Sequence, residues 1–195
     1  MSYKNWEAVK SFHDHIGVVP DPTSTAQAAL RTRLIVEEFA ETYKAMQTGD
    51  IVEAADGLAD LRYVVLGTAI VYGVQMRDLD DVPSLHSRWT VDARAAMGFG
   101  LTIKNWLQRI IEQLGAVPID NDDLSYALCG FDEAMQHVAN DLGIPLGEVF
   151  DEVHRSNMTK SAGGAGTGSK YGPGGKGPNY SPPDVRSILE KAGLL

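Results

Sequence analysis

The chain has 195 residues, with 26 Asp and Glu against 17 Lys and Arg and a formal net charge of −9. Its 44% hydrophobic content suits one or two small domains with a real core. The acidic balance disfavours non-specific nucleic-acid binding, and no apolar run is long enough to span a bilayer.

A single cysteine, Cys129, cannot form an intrachain disulfide, and the N-terminus lacks the apolar stretch of a signal peptide. The reading is a cytosolic protein, with Cys129 a small core residue.

Residues 4–15 predict a short amphipathic helix with Trp6, Val9 and Phe12 on one face. Two prolines break residues 17–23 into a loop, and Thr23 or Ser24 caps the next helix, over 26–47. That helix closes at Gly49, and a second long helix follows at once over 51–72. So short a connection makes the pair an antiparallel hairpin. The second helix is apolar nearly all round, as expected of one covered on several sides.

Residues 80–84 read as a loop and 91–97 as helical, followed by helices over 102–114, 123–142 and from 144–145 to about 157. Residues 161–179 are glycine-rich and predict a mobile loop. Ser181-Pro182-Pro183-Asp184 then caps a short helix over 185–191. The fold class is all-α: an antiparallel helical bundle on a long hairpin, with a glycine-rich loop and a short C-terminal helix. Residues 1–160 form the main domain and 161–195 an appendage. The hairpin over 35–74 is faintly echoed over 103–144, so residues 76–140 are either an insertion or a degenerate second hairpin.

On the first long helix Glu37 and Glu41 are four apart, and Glu38 and Glu41 three apart, so all three project to one side. On the second, Glu53, Asp56 and Asp60 form one stripe. Folding about Asp50 brings Glu41 near Asp60, and the two acidic stripes meet. Carboxylates that converge beside apolar helices need compensation. Oxygen ligands without nearby Cys or His point to Mg2+ or Mn2+ rather than Zn2+. The alternative is a solvated acidic face.

The segment Val36-Glu37-Glu38-Phe39-Ala40-Glu41 matches a Glu-Glu-x-x-Glu motif, and 60–67, Asp-Leu-Arg-Tyr-Val-Val-Leu-Gly, matches an aspartate followed by an apolar, Tyr-containing run. Together with 149–160 and 176–184 they resemble the MazG-like, phosphoribosyl-ATP pyrophosphohydrolase-like superfamily of all-α NTP pyrophosphatases, particularly its phage-type members. The resemblance covers about 4–74 and 142–190. It implies hydrolysis of a nucleoside triphosphate to the monophosphate and pyrophosphate, and a homo-oligomer, dimer or tetramer.

It also implies that Glu37, Glu38, Glu41 and Asp60 are catalytic and that these four with Asp56 hold the metal. Glu37 holds a second ion or takes the proton of the attacking water. One departure is Gly57, where the family carries glutamate; Asp56, or secondly Glu53, is the expected substitute. Asn157, Lys160, Lys170, Lys176 and Tyr180 are candidates to bind nucleotide, against capping, packing or solvated roles. Phage relatives called MazZ convert dGTP to dGMP, which tilts the expected substrate towards a purine. Trp6, Tyr63, Tyr180 and Asn157 are the candidates to meet a base. His13 and His15 read as surface or helix-end residues. Gly172-Pro173-Gly174-Gly175-Lys176 lacks the spacing and preceding strand of a phosphate loop. A catalytically inactive scaffold or regulatory module is the competing reading.

Overall fold

The computed structural model describes residues 4–76, 90–161 and 175–195. These form seven helices: α1 (Lys4–Ile16), α2 (Thr25–Thr48), α3 (Ile51–Tyr72), α4 (Ala93–Leu114), α5 (Asn121–Leu142), α6 (Leu146–Asn157) and α7 (Val185–Lys191). Extended pairing among the described residues is limited to one antiparallel bridge between Ser161 and Gly175. The protein is all-α.

The central hairpin is made by two residues. Gly49 ends α2 in the left-handed region, φ 78°, where a side chain would be strained. Asp50 donates its N–H to Ala45 O at 3.0 Å, completing the helix stop. The Asp50 carboxylate accepts from the N–H groups of Val52 and Glu53, both at 3.1 Å, and so starts α3. With stop and start adjacent, α2 and α3 pack antiparallel.

α3 is the core helix, with 15 of its 22 residues buried. It packs against α1, α2, α5, α6 and α7. α4 and α5 form a second antiparallel hairpin, with α4 laid on α2 and α5 on α3. A buried ion pair, Arg62 Nε to Asp132 Oδ1 at 2.9 Å, ties α3 to α5.

The sequence predicts a break between 97 and 102, yet α4 runs unbroken from Ala93 to Leu114. Gly100 serves packing: a Cβ there would lie 3.2 Å from the Tyr43 ring. The α4–α5 hairpin and α6 thus cover α3 within the chain. The loop expected over 80–84 lies outside the described residues.

Candidate active site

One cavity of about 660 Å³ opens between α1, α2, α3 and the end of α6. Glu37, Glu38 and Glu41 from α2 and Asp60 from α3 line one end, with Asn157, Lys160 and Lys176 beside them. Arg31, seven residues before Glu38 on α2, and His13 close to it also line the cavity, as does Phe12, whose ring lies 6.0 Å from the Lys160 ammonium. The acids meet because the hairpin register sets Gly57 directly against Thr42. A Cβ at Gly57 would fall 2.6 Å from Thr42 Oγ1 and 3.1 Å from its Cα. The family's glutamate therefore has no room at this position, because the two helices close on each other there.

Like charges and burial leave their mark on these carboxyls. Burial, then the charges of Asp60 and Glu41, pushes Glu38 up to about 8, against the pull of Lys160. Burial, then Asp60 and Glu53, raises Asp56 to about 7, with Lys160 and Lys176 opposing. Asp60 is raised as well, by burial and by Glu41, again against the two lysines. Asp56 does not line the cavity, and its Oδ1 is buried with no hydrogen-bond partner among the described residues. Glu53 is exposed.

The residues after α6 return over the site. The chain beyond the undescribed segment runs back beside Ser161 through the bridge to Gly175. Ser181 donates its N–H to Thr159 Oγ1 at 2.9 Å, and Asp184 donates its own to Glu152 Oε1 at 2.8 Å. Arg155 spans Glu152, Ser181 and Pro182 O. This lacing brings Lys176 to the cavity. Tyr180 does not line it, and its ring lies 5.0 Å below the Lys176 ammonium. His15 Nε2 lies 2.8 Å from the Lys160 carbonyl, pinning that turn to α1. Lys170 lies outside the described residues.

Asn157 is the last residue of α6 and buried, 5% exposed, and Met158 takes the cap position. The Tyr63 ring stacks on Phe150 and His154 and meets Phe12 edge-on, so its faces are taken by packing. Trp6 packs on the core away from the cavity. His13 sits at the end of α1 as expected but is buried, 6% exposed. Arg31 and His13 escaped the reading of the sequence. The signal was present: Arg31 lies seven residues before Glu38, on the same face of α2.

A largely half-buried, oxygen-only set of acids with mutual repulsion and an orphaned carboxylate oxygen suits a hard divalent cation. Among the described residues, no three His, Cys, Asp or Glu side chains are already gathered as a metal-holding group. The chemistry of the donors fits, while their side chains are not preset as a cage.

These features define an all-helical protein whose central hairpin carries an acidic, lysine-flanked cavity. The family description for phosphoribosyl-ATP pyrophosphohydrolase matches residues 9–84, so this part of the chain is similar to that family. The chain is also 27% identical over 144 residues to an uncharacterized protein, L479, of Acanthamoeba polyphaga mimivirus, covering 67% of this chain and 57% of that relative. The chain thus spans little more than half the length of that relative. No solved structure matches. No helix among the described residues is long and apolar enough to cross a membrane.

Proposed function

We propose that the chain is a metal-dependent nucleoside triphosphate pyrophosphohydrolase, releasing pyrophosphate and a monophosphate, with dGTP or GTP preferred. The observation that carries this is the convergence of Glu38 and Asp60, both held towards their neutral forms by burial and by neighbouring acids, beside Lys160 and Lys176 in one cavity. The family likeness over 9–84 supports a nucleotide pyrophosphohydrolase; the metal and the base are this reading's own steps.

Glu38, Glu41 and Asp60, with Asp56 behind them, hold Mg2+ or Mn2+. Bound there, the ion supplies positive charge to the phosphates and lowers the pKa of a water. Lys160 and Lys176 meet the phosphate oxygens from the opposite side, as point charges rather than forks. Glu37, at the cavity wall, holds a second ion or takes the proton released as water oxygen bonds to the α-phosphorus. The α–β anhydride bond breaks, and its electron pair leaves on pyrophosphate. Asn157, buried beside Tyr63, orients the substrate's sugar or phosphate.

The test is a panel of dGTP, dATP, dUTP and dCTP, scored by kcat/KM for pyrophosphate release with Mg2+ and with EDTA. The expected result is EDTA-sensitive turnover with dGTP first. A pyrimidine winning by tenfold or more would sink the purine preference. Binding of nucleotides without turnover of any would instead favour a regulatory module.

A further inference from the structure

We propose that Arg31 reads the base, its free guanidinium edge pairing with O6 and N7 of a guanine seated at the cavity end away from the acids. The inference rests on the pyrophosphohydrolase reading and names what selects its substrate.

Arg31 is buried, 6% exposed, and lines the cavity. Its Nε donates to Thr68 Oγ1 at 3.0 Å and its Nη2 to Val64 O at 2.5 Å. A guanidinium has five N–H donors. The two bonds fix its plane and leave three donors on Nη1 and Nη2, an end-on fork. Among the described residues no carboxylate pairs with it, so it is a held cation without a counterion at the wall of a cavity.

The surroundings suit a flat, uncharged, acceptor-rich edge. Leu30 and Leu34, its near neighbours on α2, supply apolar lining to the same cavity. His13 lies against the same spot. A Cβ at Gly67 would come 2.8 Å from Arg31 Nη2 and 2.9 Å from His13 Nε2, so the glycine clears the space both groups occupy. Among the described residues His13 Nδ1 is buried with no hydrogen-bond partner, a second polar group at that spot. Burial, followed by the charge of Arg31, keeps this imidazole neutral, with its pKa lowered to about 4.

Spacing places this end where a base must lie. Arg31 is seven residues from Glu38 on α2, and its partners Val64 and Thr68 are four and eight from Asp60 on α3. At about 1.5 Å per residue the two poles stand roughly 10 Å apart, the reach of a nucleoside. With phosphates at the acids and lysines, the base falls at Arg31. Guanine presents two adjacent acceptors, O6 and N7, to a forked donor. Adenine offers an amino donor where O6 would be, and thymine sets only O4 at the matching place.

The decisive comparison is kcat/KM for dGTP, 7-deaza-dGTP and dATP, in the wild type and in Arg31→Lys, which keeps charge but loses the fork. The wild type should prefer dGTP to 7-deaza-dGTP by about tenfold or more, and to dATP by more. In Arg31→Lys both ratios should collapse towards one. A wild type that handles 7-deaza-dGTP as well as dGTP overturns the proposal. So does an Arg31→Lys that slows all three substrates by one factor, the mark of a structural or phosphate-binding arginine. Should the variant fail to fold by circular dichroism, the wild-type comparison alone decides. Turnover without sensitivity to N7 removes only this inference, whereas no turnover of any triphosphate removes the pyrophosphohydrolase reading with it.

Discussion

Glu38 and Asp60 face each other across the hairpin with burial and like charge against them, so removing either charge has two separable effects. Glu38→Gln or Asp60→Asn should lower pyrophosphate release by about a hundredfold or more while helical content by circular dichroism is unchanged, and should raise the melting temperature in EDTA, because a repelling buried charge is gone. Near wild-type turnover in both variants would show that the chemistry lies elsewhere. The same carboxyls set a pH dependence. Glu38 and Asp56 titrate near 8 and 7 when folded but near their ordinary values when unfolded, so the folded state holds more protons and stability falls as pH rises through that window. His13 acts the other way: with its folded value at about 4 against 6.5, its contribution is present above 6.5 and is lost as pH drops towards 4. Above pH 6.5 only the acids act. The melting temperature of the metal-free protein should therefore fall between pH 6.5 and 8, and Glu38→Gln should flatten that fall; a rise across the window in EDTA would contradict it. At this scale the convergence of Glu38 and Glu41 with Asp60 was legible from helical spacing and the hairpin turn, while the place of Asp56 outside the cavity was not. Arg31 and His13 were not, because a single cation or imidazole on an amphipathic helix carries no pattern until its partners on α3 are known.

The hairpin depends on the close approach of α2 and α3 at Thr42 and Gly57 more than on any one acid. A methyl at Gly57 meets Thr42 backbone as well as its hydroxyl, so a rotamer change cannot relieve it. Gly57→Ala is expected to destabilise by about 1–3 kcal/mol, the range for overpacking, and to weaken turnover by parting the acidic stripes. Equilibrium urea denaturation reads the first effect; an unchanged midpoint would show that the helices can shift freely. The hairpin itself was readable in the sequence, since Gly49 and Asp50 are a helix stop and start in adjacent positions. Gly57 read only as a missing glutamate, because a close helix approach leaves no trace in one sequence. The continuity of α4 was hidden for a related reason: Gly98 and Gly100 weaken helical propensity, and the packing of Gly100 against Tyr43 outweighs that loss.

At the scale of the molecule, α3 needs no second copy to cover it, since the α4–α5 hairpin and α6 do so within the chain. The outer face of α4 is different. Met97 and Leu101 are each 62% exposed, four residues apart on one side of the helix. The self-association expected from the family likeness would use this face. Light scattering at micromolar concentration should give at least a dimer, and Leu101→Glu should give a monomer; a monomeric wild type would end that expectation. Whatever its oligomeric state, the proposed activity turns on which bond the site breaks. The most direct test is the phosphorus NMR spectrum of dGTP incubated with the protein and Mg2+. The expected result is dGMP and pyrophosphate in equal amounts with Mg2+, and intact dGTP when EDTA is present. Formation of dGDP and inorganic phosphate, or a spectrum of intact dGTP with Mg2+ and with Mn2+, would contradict it.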